Sequence, residues 1–280
     1  MNVKLSMGQC ATLACVLEAT ARKPGNVHPQ AAFYDLRYPD FVSCAIAVGP
    51  ILEGALANGV GRTVAECVAC SRMLVPTNVN LGMILLLTPL AAVADSQSLA
   101  AGVLDVLGRL TISDARAVYE AIRLAQPGGL GAVTEQDVAH EPTTDLVGAM
   151  RLAADRDMVA RQYANGFREV LQEGMPSLVA AQAAGLDWED AVIRCHLELM
   201  ARHPDTLIAR KLGWDEAQES ARRAAEVLAA GWPETEESQR LIFKLDDWLR
   251  ADGHSRNPGT TADLVAASLF AALREGKMRP

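Results

Sequence analysis

The chain has 280 residues, of which 50% are hydrophobic and 21% are charged. This composition favours a folded protein with a sizeable core over a disordered chain. The formal net charge is −8, and an acidic chain repels phosphate backbones, which counts against nucleic-acid binding through a broad basic face. The longest apolar run, 81–94, contains Pro89 and is too short to span a bilayer comfortably. We therefore expect small-molecule ligands and neither a nucleic-acid nor a membrane partner.

The six cysteines lie in apolar sequence with helical periodicity, and the Met1 end lacks a basic segment followed by an apolar secretory core. We therefore expect free thiols and a cytoplasmic location. Cys67 and Cys70 form a single pair at helical spacing, which packing explains better than zinc binding. An exposed helix face rich in Ala and Leu would favour a homodimer, but no pattern in the sequence isolates such a face. A homodimer is therefore one possible oligomeric state.

Helical periodicity recurs along most of the chain, while alternating strand patterns are nearly absent. The pattern predicts helices over 7–22, 40–58, 63–73, 81–94, 98–108 and 113–124. A second series is predicted over 158–171, 176–184, 188–201, 214–230, 235–251 and 260–274. The stretch 126–157 between them is irregular and is either a linker or a long loop folded over a site. We predict an all-α fold, a single compact multi-helix domain over 1–280 with polar loops at helix ends.

The first polar interruption follows the first helix and runs from Lys23 to Pro29. A proline at position 24 cannot continue a helix, and Gly25 permits a tight turn or the close approach of a ligand. Lys23 suits a phosphate, while Asn26 and His28 can supply hydrogen bonds or a proton. The alternative is an ordinary helix end with a solvated lysine and a surface histidine.

The second interruption, 76–82, opens the most hydrophobic helix. Asn78 and Asn80 lie at the mouth of this helix and need hydrogen-bond partners there. A ligand could provide them, since the free amides of a helix start bind anions. Capping is the alternative, and it explains one asparagine more readily than two.

The third interruption, 203–210, brings Asp205 next to Thr206 and ends at Arg210. An aspartate in such a loop is a candidate ligand for a hard metal ion, and an arginine can bind phosphate bidentately. Alternatively, Asp205 begins a short helix and Arg210 is simply exposed.

The fourth interruption, 257–263, precedes the apolar helix near the end of the chain. Its Pro-Gly pair shapes a tight loop whose amides can face a phosphate together with the helix start, although the spacing is not that of a Walker loop. Asp263 lies at the same helix end and could coordinate Mg²⁺. A well-capped helix without a ligand is the alternative.

In their order along the chain, the segments 22–26, 77–82, 205–210 and 257–264 resemble the triphosphoribosyl-dephospho-coenzyme A synthase family. The resemblance implies an all-helical fold, ATP and 3′-dephospho-coenzyme A as substrates, transfer of a triphosphoribosyl unit, and release of adenine. The family pattern Asn-Thr-His-Lys-Gly is replaced here by 78–82, Asn-Val-Asn-Leu-Gly, so a basic pair is missing. The family's Asp-Thr-Asn and Pro-Gly-Gly-Ser-Ala-Asp are also altered at 205–207 and 258–263.

These departures indicate a divergent branch with a different acceptor. The segment 155–163 and the loop 257–263 are similar to family-like proteins of tetrahydromethanopterin-linked one-carbon metabolism. A non-catalytic nucleotide-binding protein and a Mg²⁺-dependent nucleotide phosphohydrolase or transferase remain as alternatives. Free adenine would indicate ribosyl transfer, ADP or AMP would indicate phosphate chemistry, and unchanged ATP would indicate binding alone.

The resemblance and the side-chain chemistry together give a set of predicted site residues. We predict Mg²⁺ ligands at Asp205 and Asp263, and ATP as the substrate that carries the phosphates. We predict that Glu18 or Asp40 acts as the base or as the carboxylate that stabilises positive charge on the ribose, and that His28 is the proton donor. Nucleotide contacts are predicted for Lys23, Gly25, Asn26, Asn78, Asn80, Arg210, Asn257, Gly259, Thr260 and Thr261.

Overall fold

The structure, a computed structural model, describes residues 4–129, 131 and 135–279. Every regular element within these residues is a helix, and their one β-type contact is an isolated bridge between His28 and Ala31. The predicted all-α fold is confirmed. No described helix is both long enough and apolar enough to cross a bilayer.

Fifteen α-helices and one π-helical segment make up this part of the chain. The first group is α1 (Met7–Thr20), α2 (Tyr38–Glu53), α3 (Ala55–Asn58), α4 (Val60–Leu74), α5 (Leu81–Ala91), α6 (Leu99–Leu107) and α7 (Ile112–Ala125). The second group is α8 (Leu146–Ala153), α9 (Met158–Asn165), the π segment (Val170–Gly174), α10 (Met175–Ala183), α11 (Trp188–Arg202), α12 (Thr206–Leu212), α13 (Trp214–Ala229), α14 (Glu236–Arg250) and α15 (Gly259–Arg274).

Two helices, α5 and α15, lie at the centre of the larger core. Every residue of α5 except Gly82 is buried, and α15 exposes only Gly259, Asp263 and Arg274 to any degree. Helices that are apolar on all sides are found inside a core, where other helices surround them. The exceptions at the start of each helix show that both helices begin at a polar opening in this core.

A smaller core lies beside the larger one. It is formed by one face of α11 with α12, α13 and α14, including Leu197, Ile208 and Leu249. The other face of α11 contributes Val192 and Leu199 to the larger core. Helix α11 thus belongs to both cores and joins them.

The structure differs from the predicted helices at several places, and α12 (Thr206–Leu212) is a further short helix outside the predicted series. The predicted helix 40–58 is divided at Gly54 into α2 and α3, and the predicted helix 158–171 is interrupted at Gly166, where φ is +75°. The predicted irregular segment 126–157 contains α8, whose start is capped by Asp145 accepting from the Gly148 amide at 2.7 Å. Residues 130 and 132–134 of that segment lie outside the described residues.

The cysteines are unpaired, as predicted: all six are free, and five of them are buried. Their burial raises the pKa of thiols such as Cys44, which makes them poor nucleophiles at neutral pH. These side chains therefore act as small apolar groups in the core.

Candidate active site

A cavity of about 560 Å³ opens where α5 and α15 begin. Its walls also include parts of α1, α7, α8, α9 and α12, the loops before α2, α5 and α15, and described residues of the segment 126–157. Segments from all four predicted interruptions meet here, although they are far apart in the sequence. The predicted site residues that line the cavity are Glu18, Asn26, Asn78, Asn80, Arg210, Asn257, Gly259, Thr260 and Asp263.

Backbone amides at the two central helix starts are free to bind a ligand. Within the described part of the chain, no acceptor is bonded to the amides of Gly82 and Met83 in α5 or of Thr260 in α15. The first-turn amides of a helix carry partial positive charge and bind anions. The cavity therefore has an anion-binding surface that needs no basic side chain.

Asp263 lies one turn into α15, with its carboxylate against the start of α5. A Cβ atom at Gly82 would lie 1.9 Å from Asp263 Oδ2, so only glycine leaves room for this carboxylate. No donor among the described residues bonds to Asp263. Burial, reinforced by the negative charges of Glu18, Asp205 and Asp157, raises the pKa of Asp263 well above its usual range. An unpaired acid at this depth is poised to receive a cation or a hydrogen-bond donor from a ligand.

Glu18 also lines the cavity, but it is neutralised from behind by Lys23. The Lys23 ammonium lies 2.9 Å from Glu18 Oε1 and donates to the main-chain carbonyls of Glu18 and Ala21, and the lysine is fully buried. Burial raises the pKa of Glu18, and the Lys23 charge opposes that shift. Lys23 therefore holds Glu18 in place, and the lysine is absent from the cavity lining.

Both carboxylate oxygens of Asp205 accept hydrogen bonds from donors within the protein. It caps α12 by accepting from the amides of Leu207 and Ile208 at 2.8 and 3.1 Å. Its second oxygen accepts from the amide and hydroxyl of Thr261 in α15, at 2.7 and 2.8 Å. Both residues lie behind the cavity lining and tie the starts of α12 and α15 together. The predicted role of Asp205 as a metal ligand stays a prediction.

The loop after α1 packs against α14 and the loop before α15. The φ of Gly25 is +75°, its amide donates to Asp246 at 2.7 Å, and a Cβ there would meet Leu249 and Pro258 within 3.0 Å. This glycine permits close packing of the chain, and it is absent from the cavity lining.

Asn26 joins this loop to the one before α15. Its side-chain amide donates to Asn257 Oδ1 at 2.7 Å, which links two predicted site residues across the wall. The side-chain oxygen of Asn26 is buried without a partner among the described residues.

The two asparagines before α5 have different partners. Asn78 accepts from the Leu81 amide at 3.1 Å and so caps the helix. Asn80 donates to the Ser71 hydroxyl at 3.1 Å and makes no side-chain capping bond. Capping therefore explains one of them and not the other.

Two predicted catalytic residues are not brought to the cavity. His28 pairs through its backbone with Ala31, and Asp40 forms an ion pair with Arg37 at 3.2 Å in the first turn of α2. Neither lines the cavity. Burial and the charge of Arg250 lower the pKa of His28, which leaves it uncharged at neutral pH.

Asp157 and Arg210 form an ion pair in the cavity wall that the sequence did not reveal. Asp157 caps α9 and accepts from an Arg210 terminal nitrogen at 2.5 Å, while Arg210 Nε is buried without a partner among the described residues. Asp157 lies in the segment 155–163 that carries part of the resemblance, but its position before a helix is explained by capping, so nothing in the sequence pointed to a contact with Arg210.

Lys211, His254 and Asp35 form a second group that the sequence did not reveal. Lys211 Nζ lies 3.1 Å from the His254 carbonyl oxygen and 3.3 Å from His254 Nδ1, and His254 Nε2 lies 3.5 Å from Asp35 Oδ2. All three line the cavity. They come from three distant segments, so no spacing in the sequence could connect them.

The fold and the site define an all-α protein with a cavity at the meeting point of two buried helix starts, lined by backbone amides that have no acceptor among the described residues. The family model for ATP:dephospho-CoA triphosphoribosyl transferase (CitG) matches residues 4–279, so the chain belongs to this family. The resemblance seen in the motifs is confirmed.

Similar proteins carry related names. The chain is 35% identical over 105 residues to a 2-(5″-triphosphoribosyl)-3′-dephosphocoenzyme-A synthase of Pectobacterium atrosepticum, a region covering 38% of this chain and 33% of that protein. A candidate synthase of Pseudomonas putida is 32% identical over 163 residues, covering 51% and 58%. The chain thus spans only part of the length of the curated relatives it matches. A crystal structure of a candidate triphosphoribosyl-dephospho-CoA synthase from Archaeoglobus fulgidus has a TM-score of 0.66 and 28% identity, covering 85% of this chain and all of that one.

Proposed function

We propose that this protein transfers the triphosphoribosyl unit of ATP to a hydroxyl group of 3′-dephospho-coenzyme A or a related acceptor and releases adenine. The observation that carries the proposal is the position of Asp263, an unpaired carboxylate beside free helix-start amides. When the bond to adenine breaks, positive charge develops on the ribose, and a nearby carboxylate stabilises it. The family membership and the names of the relatives support the same reaction.

The triphosphate would lie at the anion-binding surface. The free amides of Gly82, Met83 and Thr260 can donate to phosphate oxygens. Arg210 adds positive charge at the same cavity, although Asp157 shares its guanidinium. We assign these groups to phosphate binding.

Deprotonation of the acceptor hydroxyl needs a carboxylate within the cavity. Of the predicted candidates, Asp40 is absent from the lining, and Glu18 is held in its ion pair with Lys23. Asp263 is free, and its raised pKa makes its carboxylate a stronger base than an exposed aspartate. We therefore propose Asp263 as the base and Glu18 as its fixed neighbour.

Mg²⁺ fits this site as an ion that arrives with the triphosphate. Among the described residues, no group of three or more His, Cys, Asp or Glu could hold a metal. Mg²⁺ is commonly held by one or two carboxylates together with substrate phosphates. The lone pairs of Asp205 already accept four bonds and Asp263 is proposed as the base, so the ion would be held mainly by the substrate phosphates. The bound ion would offset the negative charge of the phosphates.

Chromatography of the protein incubated with ATP, Mg²⁺ and 3′-dephospho-coenzyme A tests the proposal. We expect adenine release that depends on the coenzyme and is lost in Asp263→Asn but kept in Asp145→Asn, a change at an exposed helix cap. ADP or AMP would show phosphate chemistry instead. ATP that binds but stays unchanged, with this acceptor and with hydroxyl-bearing pterins, would show a non-catalytic nucleotide-binding protein.

A further inference from the structure

Lys211, His254 and Asp35 form a connected chain of titratable groups, which we call the Lys–His–Asp chain. An ammonium group has no lone pair, so His254 Nδ1 can only accept from Lys211. The ring proton of neutral His254 must then sit on Nε2, directed at Asp35. Asp35 and the histidine thus fix the direction of the lysine, whose third N–H remains available to a ligand in the cavity.

The Lys–His–Asp chain lies beside an apolar part of the cavity. Asp35 is followed directly by Leu36, which packs in a small apolar cluster with Val27, Phe41 and Val79, and all of them line the cavity. Flat ring systems bind against apolar and aromatic surfaces, where a few polar groups fix their orientation. The purine of the donor nucleotide therefore has an apolar surface next to the Lys–His–Asp chain, while the phosphates have the helix starts.

We propose that Lys211 is the acid that protonates the departing purine, an inference that rests on the ribosyl transfer proposed above. His254 and Asp35 are positioning residues, because they act on the purine only through the lysine. Lys211 is then a catalytic residue that none of the sequence motifs contains.

The step balances in atoms and electrons. The acceptor oxygen bonds to C1′ of the ribose while the bond from C1′ to the purine nitrogen breaks, and the bonding pair stays on the purine. The purine takes the Lys211 proton at a ring nitrogen and leaves as neutral adenine. The hydroxyl proton passes to the carboxylate of the site and returns through water to the lysine amine, so no proton is gained or lost overall.

The other basic side chains near the cavity are less suited to this step. Arginines also line the cavity, namely Arg72, Arg156 and Arg210. A guanidinium, however, does not give up its proton in proteins. Lys23 is fully buried against Glu18 and is absent from the lining. Among these lysines and arginines, Lys211 alone reaches the cavity as a cation that can lose a proton.

The surroundings of Lys211 support an acid of moderate strength. Burial lowers the pKa of Lys211, and the Arg210 charge acts in the same direction. The carboxylates of Asp205 and Asp35 oppose this shift and keep the ammonium form available. A lowered lysine pKa brings proton transfer nearer to neutral pH.

Two donors with different leaving groups test the inference. The first is ATP, whose adenine must take a proton, and the second is nicotinamide riboside 5′-triphosphate, whose cationic base leaves as a neutral molecule without one. Both are assayed with 3′-dephospho-coenzyme A on the wild type, Lys211→Met and Lys244→Met, an exposed lysine on α14 that serves as control. Calorimetry measures ATP binding to each protein separately.

We expect Lys211→Met to lower kcat with ATP by about 100-fold or more, the usual effect of losing a general acid. With the pyridinium donor its rate should stay within about threefold of the wild type. His254→Gln and Asp35→Asn should also lower kcat with ATP and not with the pyridinium donor, by a smaller factor. A purely structural role would not produce this selectivity. Lys244→Met should match the wild type with both donors.

Equal losses with both donors, or a loss of ATP affinity alone, would overturn the inference and make Lys211 a structural or phosphate-binding residue. A wild type that releases no adenine would refute the proposed function itself. The two failures are distinguishable, because the first requires an active wild type and the second excludes one.

Discussion

Replacing Asp205 by alanine should destabilise the fold strongly, because this carboxylate joins two helix starts. It is 1% exposed and accepts four hydrogen bonds, two from the start of α12 and two from Thr261. Losing the cap of α12 costs about 1 kcal/mol. The Thr261 amide would be left buried without an acceptor, at about 1–3 kcal/mol, whereas its hydroxyl can rotate to another partner. We therefore expect Asp205→Ala to lower the free energy of unfolding by about 3 kcal/mol.

Urea denaturation followed by far-UV circular dichroism measures this free energy, and Asp145→Ala is the matched control. Asp145 caps α8 at the surface with one bond from Gly148, so its loss should cost only about 1 kcal/mol. Asp205→Asn keeps one acceptor oxygen and should fall between the two. If Asp205→Ala were no less stable than the control but needed more Mg²⁺ for activity, the structural reasoning would be refuted and the metal-ligand prediction supported.

Three further changes test the cavity and the ion pair behind it. In Gly82→Ala, the new Cβ would lie 1.9 Å from the Asp263 carboxylate, so we expect the carboxylate to be displaced and adenine release to be abolished. Gly108→Ala, at the end of α6, should leave adenine release unchanged. Equal activity of the two variants would refute this reasoning. Because the pKa of Asp263 is raised in the folded protein, its protonation stabilises the fold, and this contribution is lost as pH rises through the raised pKa. Asp263→Asn should therefore gain stability over the wild type as pH rises above about 4, and a constant difference in urea melts across pH would contradict the shift. Lys23→Met should lower the free energy of unfolding by about 3–5 kcal/mol, because it leaves Glu18 buried without its ion-pair partner. Adding Glu18→Gln should restore part of this stability. Weaker ATP binding without loss of stability would instead favour the predicted phosphate contact of Lys23.

The helices themselves follow from local patterns. The run from Leu81 to Ala91 is apolar on every side, so its length and its burial could both be predicted. Helix α8 was missed because it has only eight residues, too few for a clear period. Its boundary is set by one side-chain cap at Asp145, which in the sequence resembles any polar loop residue.

The site was predictable only in part, because sequence neighbours need not face the same way. Asn26 and His28 belong to one motif, yet Asn26 lines the cavity and His28 does not. Lys23 was assigned to phosphate as a mobile charge, but the chain reversal after α1 turns it back onto Glu18. The group around Lys211 joins segments from opposite ends of the chain, and only the packed structure brings them together.

Asp205 and Asp263 show why residue type alone did not decide roles within the site. Both are aspartates beside a helix start, and the sequence supports the same metal-ligand role for each. Asp205 stands before its helix, where the first-turn amides point at it and use its lone pairs. Asp263 stands one turn inside its helix, beyond the reach of those amides, and Gly82 leaves space for its carboxylate to face the cavity. In a site built from helix starts, the aspartate inside the helix is therefore the one left free for a ligand.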